Sequence, residues 1–137
     1  MHVLFVCSGN ICRSPFAEAL ARSLAEGFEF SSAGTIARSG DPASAGGITV
    51  AAGLGVDMRG HRASHLTAEI LADVDIVYAM EEEHIATVLA LDPGARVELL
   101  SPDGVAIPDP YGGDDLEYAA SYSLIVDAIK QRFTESD

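Results

Sequence analysis

The sequence predicts an α/β fold with a parallel sheet, in one domain spanning residues 1–137. Three observations carry that expectation. Apolar, strand-like runs alternate with helical patterns along the chain. The first run, Val3-Leu4-Phe5-Val6, has no polar interruption, as expected of a strand covered on both faces. Between that run and the first helical pattern lies a glycine-bearing turn, Cys7-Ser8-Gly9-Asn10-Ile11-Cys12-Arg13-Ser14.

The elements follow in order. His2 to Val6 reads as the first strand. Pro15 suits the first turn of the next helix, where its missing N–H is not needed. Phe16, Leu20 and Leu24 keep helical spacing, and the helix stops near Gly27. Phe28 to Ala33 reads as a second strand, Gly34 to Asp41 as a loop, and Ala43 to Leu54 as a helix of small residues. Gly60 to Leu66 connects to a short helix at Thr67 to Leu71, with Thr67 as N-cap. Val74 to Met80 is strand-like, and Glu81 to Leu91 is helical with acidic residues in its first turn. Arg96 to Leu100 makes a fourth strand. Ser101 to Asp114 is rich in Gly, Pro and Asp and reads as loop. Asp115 to Phe133 closes the chain as a helix, with Leu116, Ala119, Ala120, Leu124, Ile125, Ala128 and Ile129 expected on its buried side.

Composition narrows the function classes. A hydrophobic fraction of 48% argues against disorder. No apolar run is long enough to span a bilayer, and the N-terminus lacks a secretory pattern, so a cytoplasmic location is expected. The net charge is −13, with Lys130 the one lysine, a field that repels nucleic acid and anionic membranes. Neither is expected as a partner. Two cysteines make no disulfide framework and lack zinc-site spacing. No cofactor and no metal site are expected.

The turn after the first strand carries the chemistry. A free cysteine is mostly thiol at neutral pH. Here a helix N-terminus, the guanidinium of Arg13 and the hydroxyl of Ser14 each favour the thiolate of Cys7. Backbone N–H groups of a tight turn converge on an anion, and Gly9 leaves the backbone free to bend. Arg13 supplies a planar fork that fits two phosphate oxygens. Phosphorus would then lie over the sulfur, ready for displacement through a phosphocysteine. A cysteine and an arginine six apart recur by chance. The preceding strand, the internal Gly-Asn and the Ser-Pro helix start make this pair different. Cys12 reads as a space-filling residue.

A phosphate ester also needs a proton for its leaving oxygen. Ile107-Pro108-Asp109-Pro110-Tyr111 offers a carboxyl on a stiff loop beside an aromatic wall. The plainer reading of Pro-Asp-Pro is a turn.

Together, Val3 to Glu18 and Asp109-Pro110-Tyr111-Gly112 resemble the low-molecular-weight protein tyrosine phosphatases. Ser31-Ser32-Ala33-Gly34-Thr35, Gly60-His61-Arg62 and Asp75 to Met80 agree with the family and fall in its order. The resemblance implies a central four-stranded parallel sheet with helices on both faces. It implies Cys7 as nucleophile, Arg13 as clamp, and Asp109 as general acid and later base. Ser8, Gly9, Asn10, Ile11, Cys12 and Ser14 would form the phosphate-binding loop between first strand and first helix. Asn10 would hold the loop's strained backbone with support from Ser32 and His61, and Ser14 would stabilise the thiolate. Ile11 and Tyr111 would line the substrate ring, and Arg38, in the short Ile36–Asp41 loop, would border the entrance. The expected partner is a phosphorylated protein, and the expected state a monomer or weak homodimer. Phe16 and Glu81 depart from the usual Met and Asp without changing the expected chemistry, and Gly112 leaves no tyrosine pair. His2, His65 and His84 carry no expected function.

Three rivals remain. A protein-arginine phosphatase of the same family resembles Pro110-Tyr111-Gly112-Gly113, but that branch carries threonine at the position of Ile11. An apolar Ile11 favours an aromatic ring over a guanidinium. An arsenate reductase needs downstream cysteines, and none follows Cys12. A non-catalytic or redox-sensing module fits poorly with intact Cys7, Arg13 and Asp109, although Cys12 trapping an oxidised Cys7 is expected to be compatible with catalysis.

Overall fold

The computed structural model describes residues 1–134. Four strands form one sheet: β1 (His2–Cys7), β2 (Glu29–Gly34), β3 (Ile76–Ala79) and β4 (Val97–Leu99). Five helices connect and flank them: α1 (Arg13–Leu24), α2 (Ala45–Gly53), α3 (Ala68–Ala72), α4 (Glu82–Leu91) and α5 (Asp115–Phe133). The strand order is β2-β1-β3-β4, and every pairing is parallel. The expected four-stranded parallel sheet is therefore present, with strand ends moved by only a residue or two.

β1 is buried along its length because both faces are covered. Val3 and Phe5 point into one apolar cluster with Phe16, Leu20, Tyr122, Ile125 and Ile129, from α1 and α5. Leu4 and Val6 point the other way, against Leu71 and Val88 from α3 and α4. Period-two alternation across a two-sided core gives this pattern. Phe16 and Tyr122 stack with ring centroids 3.9 Å apart and planes 6° from parallel, which joins α1 to α5.

The strand order reverses beside β1: the chain goes to β2 on one side, then crosses to β3 on the other. The crevice at the C-terminal end of β1 is thus a topological switch point, the usual ligand position in open parallel sheets. The Cys7–Arg13 turn lies there.

The buried face of α5 differs from expectation. Tyr118, Ser121, Tyr122, Ile125, Ala128 and Ile129 are buried, while Leu116, Ala119, Ala120 and Leu124 are exposed. The two tyrosines win the inner face because their rings bury more area and their hydroxyls find partners: Tyr118 Oη donates to Ser44 Oγ at 3.0 Å and Tyr122 Oη to the Cys12 carbonyl at 2.8 Å. Among the described residues, no helix is long and apolar enough to cross a membrane.

Candidate active site

In the turn from Ser8 to Cys12, the carbonyls of Ser8, Asn10, Ile11 and Cys12 are bonded to the surrounding shell. Ile36 N–H donates to the Ser8 carbonyl (2.9 Å), Ser44 N–H to that of Ile11 (2.9 Å), and Tyr122 Oη to that of Cys12 (2.8 Å). His61 Nε2 lies 2.7 Å from the Asn10 carbonyl, so this nitrogen carries the proton. By contrast, no backbone N–H of residues 8–12 has a partner among the described residues. Unpaired amides around a turn at a helix N-terminus make an anion cradle.

Two residues hold the turn in shape. Asn10 is fully buried and has φ +54°, the one positive φ outside glycine among the described residues. Its side-chain oxygen accepts from Ser64 N–H at 2.8 Å and its amide nitrogen donates to Ser14 Oγ at 2.8 Å. Tolerance of this conformation is an asparagine property, and the hydrogen bonds keep it in place. Behind the turn, Gly34 must be glycine for lack of room: a Cβ there would meet Ser8 O at 2.5 Å and Asn10 N at 2.8 Å.

Cys7 Sγ lies 2.9 Å from Ser14 Oγ. Ser14 already accepts from Asn10, which leaves its own proton for the sulfur. Burial pushes the Cys12 thiol up, with Ser44 and Tyr118 only partly offsetting, so it stays protonated at neutral pH. Tyr118 is itself pushed up to about 12, chiefly by burial.

The Arg13 side chain is 1% exposed. Nη1 donates to Glu81 Oε2 at 2.8 Å and to the Ile107 carbonyl at 2.7 Å. Nη2 lies 3.6 Å from Asp109 Oδ2, and Nε is buried with no partner. An orphaned buried N–H costs about 1–3 kcal/mol, more on a charged group. The Nε and Nη2 edge is thus committed to no strong acceptor and suits a bidentate oxyanion.

A cavity of about 200 Å³ lies over the turn, lined by Cys7, Ser8, Gly9, Ile11, Cys12, Arg13, Ile36, Asp109 and Tyr111. Of the expected loop residues, Asn10 and Ser14 stand behind it as supports. Asp109 is half-exposed and accepts Tyr111 N–H on Oδ1 at 3.0 Å. Ile11 and Tyr111 are among the walls of this cavity. Arg38 is not: its guanidinium points into solvent 4.0 Å from Asp41, and Ile36 of the same loop lines the mouth instead. Ser32 does not reach Asn10 either. Its hydroxyl donates to Glu18, and Ser64 supplies the bond to Asn10.

Sequence reasoning missed Glu81 and His84. Glu81 anchors Arg13. His84 Nδ1 accepts Glu81 N–H at 3.1 Å, so Nε2 carries the proton and donates to Ser8 Oγ at 2.9 Å. Burial, reinforced by the Arg13 charge and opposed by Glu81 and Asp109, lowers His84 to about 4. Glu81, Glu83 and His84 bring ligand atoms within 4.8 Å of one another, but both ring nitrogens are already engaged. The signal for this pair was the Glu-x-x-His capping pattern at the start of α4.

The fold and site together define a phosphate-ester enzyme class built on a cysteine-arginine anion loop. Residues 2–136 match the family Low molecular weight phosphotyrosine protein phosphatase. The chain is 38% identical over 133 residues to the low molecular weight protein-tyrosine-phosphatase Etp of Escherichia coli K12, covering 94% of this chain and 90% of that one. It superposes on Vibrio vulnificus Wzb in complex with benzylphosphonate at TM-score 0.91 and 31% identity, over 95% of this chain and 94% of that one. The YwlE arginine phosphatase of Geobacillus stearothermophilus superposes at TM-score 0.88 and 33% identity, over 95% and 88% of the two chains. The chain belongs to the low molecular weight protein-tyrosine-phosphatase family.

Proposed function

We propose that residues 1–137 act as a single catalytic domain that hydrolyses phosphotyrosine in proteins through a phosphocysteine. The thiolate of Cys7 attacks phosphorus. The bond from phosphorus to the leaving oxygen breaks, and Asp109 gives that oxygen its proton. Water then attacks the phosphocysteine while the Asp109 carboxylate takes its proton. The S–P bond breaks, releasing inorganic phosphate and restoring the thiolate. The free amides of residues 8–12 and the Nε/Nη2 edge of Arg13 hold the equatorial oxygens throughout.

The observation that carries this reading is the polarity of the turn: carbonyls bonded to the surrounding shell, amides without partners among the described residues, and a guanidinium whose Nε has no acceptor. The aromatic preference is supported by the cavity walls. Ile11, Ile36 and Tyr111 are apolar or aromatic, and they suit the face of a phenyl ring. Wzb of Vibrio vulnificus takes benzylphosphonate, a ring-bearing phosphonate. A cytoplasmic, reducing location suits two free cysteines, and a monomer suffices because every proposed catalytic group comes from one chain.

Similarity to the YwlE arginine phosphatase makes phosphoarginine the second reading. Parallel rates on phosphotyrosine and phosphoarginine peptides separate the two. Wild type should favour phosphotyrosine, and Ile11→Thr should shift the ratio toward phosphoarginine. A wild-type preference for phosphoarginine would reverse the assignment.

A further inference from the structure

Asp109 is a wall shared by two hollows. One is the cavity over Cys7. The other is a cleft of about 190 Å³ between the Pro108–Pro110 loop and α5, with Pro108, Pro110, Ala120 and Leu124 as apolar surface and Glu117 beside them. Leu124 also lines the next cleft, of about 110 Å³, together with Asp103 and Asp127. The α5 residues that sequence patterning placed in the core, Ala120 and Leu124, thus surface a groove leading away from the general acid.

The charges in this groove have one sign. Its ionisable side chains are Asp109, Glu117, Asp103 and Asp127, and no lysine or arginine lines either cleft. Among the described residues, Glu117, Asp103 and Asp127 have no ion-pair partner. An apolar floor with unpaired carboxylates suits a side chain that is aliphatic along its stem and cationic at its tip.

We propose that the groove receives the substrate segment flanking the phosphotyrosine and selects a lysine or arginine there. The methylene stem lies on Pro108, Pro110 and Leu124, and the cation lies beside Glu117. The inference rests on the phosphotyrosine reading above and adds its sequence context. Continuity supports it, because Asp109 borders both the reacting phosphate and the groove. The net charge of −13 acts in the same sense, since it disfavours an acidic segment and draws in a basic one.

Three phosphotyrosine peptides that differ only in flanking Lys, Ala or Glu residues test it, with para-nitrophenyl phosphate as a substrate too small to reach the groove. On wild type, kcat/KM should fall from Lys to Ala to Glu, by about fivefold per step at low salt, mostly through KM. The spread should shrink at high salt. Glu117→Gln and the double variant Asp103→Asn/Asp127→Asn should each narrow it while keeping the wild-type rate on para-nitrophenyl phosphate. Equal kcat/KM for the three peptides would overturn the groove and leave the phosphotyrosine reading intact. So would a spread undiminished in both variants, or one that narrows only alongside a lost para-nitrophenyl phosphate rate. Turnover of none of the three peptides would remove the phosphotyrosine reading and this inference with it.

Discussion

Arg13 Nη1 donates to Glu81 Oε2 at 2.8 Å, across 68 residues of sequence. The carboxylate holds one end of the guanidinium and leaves the Nε/Nη2 edge to the cavity. Glu81→Ala should lower kcat/KM about 10- to 100-fold, the loss expected for a hydrogen bond between charged groups. The same variant should weaken inhibition by inorganic phosphate in proportion. An unchanged phosphate inhibition constant would show that Glu81 does not orient the clamp.

His84 gives the fold a specific acid sensitivity. Its native value, about 4, lies below the ordinary 6.5, so between those limits the unfolded chain binds a proton that the native chain refuses. The neutral ring's contribution is complete above about pH 6.5 and is lost as pH falls toward 4, amounting to about 3 kcal/mol. Urea unfolding at pH 7, 5.5 and 4.5 measures it. His84→Gln should flatten this part of the profile, and an equal slope in the variant would assign the acid sensitivity elsewhere.

Gly34→Ala tests whether close packing shapes the anion loop. The new Cβ would sit 2.5 Å from Ser8 O and 2.8 Å from Asn10 N, both backbone atoms. We expect destabilisation of about 1–3 kcal/mol from overpacking and a loss of phosphate binding larger than in Gly60→Ala, where no atom lies within 4 Å. Equal phosphate affinity in the two variants would show that the loop tolerates displacement.

Asp109→Ala should slow phosphoenzyme formation by about 10²- to 10⁴-fold for poor leaving groups. The penalty should be far smaller for nitrophenolate, which leaves without help. A loss independent of leaving-group pKa in stopped-flow burst experiments would point to a role other than proton donation. Cys7→Ser should abolish turnover with either leaving group.

Mild peroxide should convert Cys7 to a sulfenic acid, which the Cys12 thiol then attacks to form a disulfide and water. Burial keeps Cys12 protonated, so this second step should be slow at pH 7 and quicken as pH rises. Mass spectrometry of quenched samples follows both species. Over-oxidised Cys7 with Cys12 untouched, at every pH, would exclude the trap.

Much of this site could be read from the chain alone because its centre is local. Cys7 through Ser14 lie on one strand–turn–helix unit, and short-range geometry makes a cradle from that pattern without reference to the rest of the molecule. Asp109, which borders the same cavity, stood out as a candidate for a similar reason, since its flanking prolines set its backbone. The exposed face of α5 was misread because small apolar residues occupy more than one side of that helix. Only the partners available to the Tyr118 and Tyr122 hydroxyls decide which side turns inward.

By itself the sequence determined the elements and the parallel sheet, and it singled out Cys7, Arg13 and Asp109 as candidates that the fold brings to one cavity. Tertiary structure alone decided what steadies them: Glu81 on Arg13, His84 on Ser8 across 76 residues, Ser64 on Asn10 across 54, and Tyr122 on the Cys12 carbonyl across 110. Strand order is the physical reason. Placing β1 between β2 and β3 gathers distant loops around one turn, and bonds formed across such separations leave no periodicity in the chain that makes them.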